Sequence, residues 1–189
     1  IEGLQGSRAM LGEEKLLATP KHFAGHCDPQ GGINLGPADV GERKLREEYL
    51  PPFRAAVDAG VLSIMPAYTE IDGVPCSSSA FLMFQVLRDE WGFEGYTFSD
   101  FGAITMLNTF HGVAANLQEA GKMAFESGMD MEAPGQDCYA GKLLSLLKKG
   151  EISRERLDDA VGRILRAKFC AGLFEHPYVE EDHAVEIVR

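Results

Sequence analysis

Hydrophobic and polar positions along this chain follow two different rhythms. Short apolar or β-branched runs at 16–19, 61–65, 96–100 and 129–132 are bounded by Gly, Pro or Asp, which predicts buried strands. Between them apolar residues recur three and four apart, the spacing of amphipathic helices. Helices are predicted from about 41 through Tyr49, over 52–60, over 80–91 with Leu82, Val86 and Leu87 inward, and over 117–127 with Ala120, Met123 and Ala124 inward. Two more follow over 139–149 and over 154 to about 170, the second with Leu157, Val161, Ile164 and Leu165 on its buried face. Punctuation agrees: Pro51-Pro52 ends one helix and can open the next, Asn116 and Ser153 are cap residues, and Gly128 and Gly150 are stops. Residues 1–14 read as the tail of a helix carrying Ile1, Leu4, Ala9 and Leu11. Residues 27–40 read as a long loop, 71–76 as a loop around Asp72-Gly73, and 103–115 as a loop or short helix.

Strand and helix therefore alternate, with strand starts roughly 30–45 residues apart, as in βα units of a parallel sheet with helices outside. Four units do not close a barrel, since a complete (β/α)₈ barrel takes about 250 residues. Either the chain is an open α/β sheet, or it is half of a TIM barrel whose other half lies upstream. A start at Ile1-Glu2-Gly3, without Met, reads as internal and favours the half barrel, which would carry two unpaired strand edges. Residues 174–189, polar and acidic with Pro177, read as a linker.

Charge narrows the function. A formal net charge of -11 argues against phosphate-backbone binding, so no nucleic-acid partner is expected; a neutral or weakly polar substrate fits better. No apolar run approaches the roughly 20 residues of a membrane span. No glycine-rich phosphate loop precedes a helix. Cys27, Cys76, Cys138 and Cys170 are scattered, without zinc spacing, and read as buried or semi-buried thiols. His22 and His26 stand four apart, but Pro20 and Gly25 oppose the helix that would make this a zinc spacing, so no metal is expected. His111, His176 and His183 look isolated, with surface or core-satisfying roles.

Candidate chemistry gathers where a parallel sheet collects its carboxyl ends. Asp100 closes the 96–100 run, with Gly102 just beyond, which is where α/β barrels place catalytic groups; the competing reading is a carboxylate capping the next backbone N–H groups. Lys21, His22 and His26 come from the first strand, Met65, Tyr68 and Glu70 from the second, and Glu132 from the fourth. Lys and His can donate to hydroxyls, carboxylates can accept from them, and Met or Tyr can pack on the apolar face of a sugar.

With these residues placed, the chain resembles glycoside hydrolase family 3, the β-glucosidase and β-xylosidase family. KHFAGH at 21–26, LREEYLPPFRAAVDAG at 45–60, VLSIMPAY at 61–68, IDGVPC at 71–76, LRDEWGFEGYTFSD at 87–100 and AKFCAGLFEHPYV at 167–179 carry the resemblance. It implies that 1–173 are the second half of a (β/α)₈ barrel and 174–189 a linker towards a second domain. It implies that Asp100 is the nucleophile, that Lys21 and His22 hold sugar hydroxyls, and that Met65 and Tyr68 sit beside nucleophile and ring. It also implies an oligosaccharide or aryl or alkyl β-glycoside as substrate, retaining hydrolysis and no cofactor; the sequence leaves the compartment open. Asp100 must stay ionised, and Lys21 and the Tyr68 hydroxyl are the neighbours expected to favour its charge. The family's general acid/base usually comes from the second domain, and an Asp and an Arg from the first half of the barrel. Within this chain only Glu70 and Glu132 could substitute, so an isolated fragment is expected to be inactive or weakly active. Phe101 stands where the family often has Trp, keeping an apolar wall without the indole N–H. An N-acetylhexosaminidase of the same family would need an Asp-Ser-His loop, and none occurs. A non-catalytic sugar-binding module is the remaining alternative.

Overall fold

The computed structural model describes residues 1–6, 11 and 15–178. It is an α/β fold built on a parallel sheet in the order β1-β2-β5, from β1 (Lys21–Phe23), β2 (Ser63–Pro66) and β5 (Tyr96–Thr97). Lys21 pairs with Met65, and Ser63 and Ile64 pair with Tyr96 and Thr97. The peptide bonds Lys21–His22, Phe23–Ala24 and Ala133–Pro134 are cis.

The first strand lies later than the hydrophobic run predicts. Residues 16–19 are drawn to the short helix α1 (Glu2–Gln5): Leu16 N–H donates to the Leu4 carbonyl, and Ala18 N–H to Gln5 Oε1. The ladder with β2 starts only at Pro20, whose carbonyl accepts from Met65 N–H. The predicted fourth strand shrinks to one parallel bridge, Phe98 to Met131, supported by Ser99 N–H donating to the Met131 carbonyl. The tail 1–14 is helical at Glu2–Gln5, with Leu4 exposed; Ala9, and in the tail Val179 to Arg189 with His183, lie outside the described residues.

The helical elements fill the gaps between strands. They are α2 (Glu42–Lys44), running into a π-helix at Leu45–Tyr49, α3 (Pro51–Asp58), and a π-helix at Phe81–Glu90. Then come α4 (Ala103–Thr109), α5 (Leu117–Glu126), α6 (Ala140–Lys148) and α7 (Arg154–Cys170). Asn116 caps α5 by accepting from Gln118 and Glu119 N–H, and Ser153 caps α7 by accepting from Arg156 N–H. Between β2 and the second π-helix the loop folds into a hairpin, β3 (Glu70–Ile71) and β4 (Val74–Pro75). Its turn is Asp72-Gly73 at φ 50° and 79°, the left-handed pair that a two-residue hairpin demands.

Two apolar clusters hold this together. One surrounds β1 and β2 with Phe23, Ile64, Leu45, Leu82, Val86 and Leu87; the other joins α4 to α7 through Ile104, Leu107, Phe125, Met129, Leu143 and Leu146. Helix α7 presents only part of the predicted stripe: Leu157 packs against the second cluster and Ile164 is half-buried. Val161 and Leu165 are exposed, and the buried positions are Ala160 and Ala167, flanked by Arg156 and Arg163. Both arginines reach the buried Asp130, a pairing that the apolar spacing does not announce.

Candidate active site at the strand ends

Asp100 sits just past the β5 ladder, where Gly102 at φ 73° turns the chain into α4. The carboxylate is mostly buried. Oδ1 accepts from Phe101 N–H at 2.7 Å, and Oδ2 lies 3.1 Å from His22 Nε2 on β1. One oxygen thus holds backbone, as the capping reading expects, and the other faces a histidine. Helix α4 itself is capped by Gly102, not Asp100.

A carboxylate only accepts, so the short contact puts a proton on His22 Nε2. Burial holds the His22 pKa below its ordinary 6.5, against the attraction of Asp100, and the neighbouring His26 and Lys21 push the same way as burial. The His26 ring lies 4.5 Å from that of His22, and His26 Nδ1 is buried without a hydrogen-bond partner. Lys21 is exposed and faces Met65 across the ladder, where Met65 is buried. Among the described residues Lys21 is not a hydrogen-bond partner of Asp100; His22 and the Phe101 amide take that place.

Tyr68 follows β2 and is only partly exposed. Its hydroxyl donates to the Phe101 carbonyl at 2.9 Å. Burial and the adjacent Asp100 carboxylate push the phenol up to about 12, so it stays protonated near neutral pH. Phe101 itself is 61% exposed and forms an apolar rim beside the carboxylate.

Of the two glutamates weighed as proton donors, Glu132 is committed elsewhere. Glu132 accepts from Cys138 N–H at 2.9 and 3.1 Å and from Tyr139 N–H at 2.7 Å, anchoring the start of α6. Glu70 lies 3.6 Å from His111 Nδ1. His111, which the sequence leaves isolated, has a 4% exposed side chain and places Nε2 3.0 Å from the Tyr68 carbonyl. No local pattern announces that contact; it spans 43 residues. All four cysteines are free, and Cys27 is exposed. Among the described residues no group of three or more His, Cys, Asp or Glu side chains could hold a metal ion, and no helix is long and apolar enough to cross a membrane. A concavity of about 340 Å³ lies at the amino-terminal ends of β2 and β5, lined by Gly60, Val61, Leu62 and Trp91 among others, and contains none of these groups.

Residues 1–167 match the glycosyl hydrolase family 3 N-terminal domain. The chain belongs to glycosyl hydrolase family 3. This family 3 chain is 40% identical over 188 residues to a beta-xylosidase of Formosa agariphila, covering 93% of the chain and 25% of that protein. It is 36% identical to a periplasmic beta-glucosidase of Salmonella typhimurium, covering 94% of the chain and 23% of that protein. A beta-glucosidase structure from Listeria innocua superposes with a TM-score of 0.93 at 35% identity, over 100% of this family 3 chain and 26% of that one. The chain thus spans about a quarter of the length of the relatives it matches.

Proposed function

We propose that this chain carries the nucleophile half of a retaining β-glycosidase site acting on β-linked glucosides or xylosides. In this reading 1–173 form the second half of a (β/α)₈ barrel and 174–189 lead towards a further domain. Asp100 attacks the anomeric carbon, the aglycone oxygen leaves with a proton from a second carboxyl group, and a glycosyl-enzyme ester remains. Water, deprotonated by the same second group, then hydrolyses the ester. The acid/base must stand about 5–5.5 Å from the nucleophile. Glu132 is held at the start of α6 and Glu70 lies beside His111; the expected source of the acid/base is the further domain.

The observation that carries the reading is the Asp100–His22 contact at the carboxyl edge of a parallel sheet. His22 donates to one oxygen and so orients the carboxylate. Lys21 offers a second donor for sugar hydroxyls, and Met65 and Tyr68 supply an apolar wall with one polar tip. The names of the relatives, beta-xylosidase and beta-glucosidase, support glucose or xylose as the sugar.

The test is trapping with an activated 2-deoxy-2-fluoro-β-glycoside in the protein at its full natural length. A peptide containing Asp100 should gain one fluorosugar, and Asp100→Asn should take no label and lose about 10³-fold or more in kcat/KM. A label on another carboxylate, or an Asn variant of undiminished rate, rejects the assignment.

A further inference from the structure

We propose that His111 is a positioning residue for this site, holding Tyr68 as a strut against the carbonyl of Phe101, the residue that follows Asp100. The inference rests on Asp100 and Tyr68 forming the glycosidase site proposed above. Its geometry joins three connections that are far apart in sequence. His111 follows α4; Tyr68 and Glu70 follow β2; Phe101 follows β5.

Hydrogen-bond chemistry fixes the direction of each link. The Tyr68 carbonyl can only accept, so His111 Nε2 carries the proton of their 3.0 Å contact. His111 Nδ1 faces the Glu70 carboxylate at 3.6 Å, and the ring stands edge-on to Phe110 with centroids 5.1 Å apart. The imidazole is therefore held at Nε2 and along one edge, and its side chain is almost wholly buried. At the other end of the same tyrosine, the hydroxyl donates to the Phe101 carbonyl. Phe101 also gives its N–H to Asp100 Oδ1. The line runs from His111 to the Tyr68 backbone, from the Tyr68 hydroxyl to the Phe101 carbonyl, and across Phe101 to the N–H that meets Asp100. Loss of the imidazole frees the backbone of residue 68, and the error arrives at the carboxylate through the tyrosine ring and the Phe101 backbone. Displacements near 1 Å at a reacting group cost about 10²-fold in rate.

A double-mutant cycle tests this with a readout that a merely structural residue would not move. In the full-length protein, His111→Ala should lower kcat/KM for an aryl β-glycoside about 10- to 100-fold, mostly in kcat. His111→Gln, whose amide N–H can still reach the Tyr68 carbonyl, should recover to within about threefold of wild type. Tyr68→Phe should show a comparable loss, and Tyr68→Phe/His111→Ala together should be little worse than the poorer single variant, because both cut one line. Additive losses, or a Gln variant as poor as Ala, overturn the proposal. A second measurement does not need activity: a 3-fluorotyrosine at 68 should shift its ¹⁹F resonance in His111→Ala and keep it in His111→Gln. An unchanged resonance in His111→Ala overturns the strut even where hydrolysis is seen. A shifted resonance in a protein whose wild type labels nowhere leaves the strut standing and rejects the glycosidase reading alone. Where His111→Ala does not fold, the Gln and Tyr68→Phe variants carry the same comparison.

Discussion

Between Asp100 and His22 the proton has one stable address. The carboxylate offers only lone pairs, and the neutral imidazole places its N–H on the nitrogen that faces them. Burial disfavours the imidazolium more than Asp100 favours it, with His26 and Lys21 adding to burial. A histidine titration followed by NMR should therefore give His22 a midpoint below 6.5. The unfolded chain binds this proton more readily than the folded one, so stability is undiminished by His22 above pH 6.5 and falls as the pH drops from 6.5 towards the folded-state midpoint. His22→Gln should flatten that acid limb in urea-denaturation profiles. A midpoint at or above 6.5 would show that the carboxylate outweighs burial, and the limb would change sign. Residue types alone placed Asp100, His22 and Tyr68 at one rim, because strand ends in a parallel sheet share a side. They could not reveal that Lys21 stays out of the carboxylate's hydrogen bonds, or that His111 holds Tyr68, since both depend on long-range packing.

At the scale of single elements, two competing effects meet at Gly121 in α5. An alanine there would gain about 1 kcal/mol of helix propensity over glycine. Its Cβ, however, would stand 2.2 Å from the Cys138 carbonyl oxygen, a backbone atom that cannot turn away. Overpacking of this kind costs about 1–3 kcal/mol, so the clash wins and Gly121→Ala should lower the urea midpoint. In contrast, Asn116→Ala at the start of the same helix should cost about 1 kcal/mol through loss of the two N–H acceptances. A stabilised Gly121→Ala would show that α5 can slide away from the segment before α6. Caps such as Asn116 and Ser153 were legible because they act within three residues. The Asp72-Gly73 hairpin was also legible by its turn chemistry, although the sequence reading takes it for a loop. The later start of β1 was not, because Gln5 and Leu4 claim the backbone of 16–19 from outside the local pattern.

Across the whole molecule, the last helix is fastened to the sheet by charge. Asp130 is buried and receives Arg88 at 3.1 Å, Arg156 at 2.9 Å and Arg163 at 3.0 Å, along with Thr97 N–H at 3.1 Å. Arg88 also donates to the Phe93 and Gly95 carbonyls, and Arg156 to those of Phe125 and Met129. Burial pushes the Arg88 pKa down to about 10 despite Asp130, with Arg163 and Arg156 adding to the fall, so Arg88 remains cationic near neutral pH. One carboxylate thus compensates three guanidiniums that have little water. The alternation of strand and helix, and hence the α/β fold, follows from spacing; the rotation of α7 does not, because an Arg-Ala-Arg-Ala face reads as solvated unless a buried anion is known to await it. Replacing such a group by an apolar set can be neutral, but removing one partner leaves uncompensated buried charge at about 3–5 kcal/mol. Asp130→Asn should therefore destabilise by that amount in urea denaturation, and amide hydrogen exchange should quicken first along α7. The Asn side chain keeps the volume and one acceptor, so cavity formation cannot account for the loss. A change under about 1 kcal/mol would mean that the arginines are held by their carbonyl acceptors alone, and that the orientation of α7 is set by Ala160 and Ala167 packing after all.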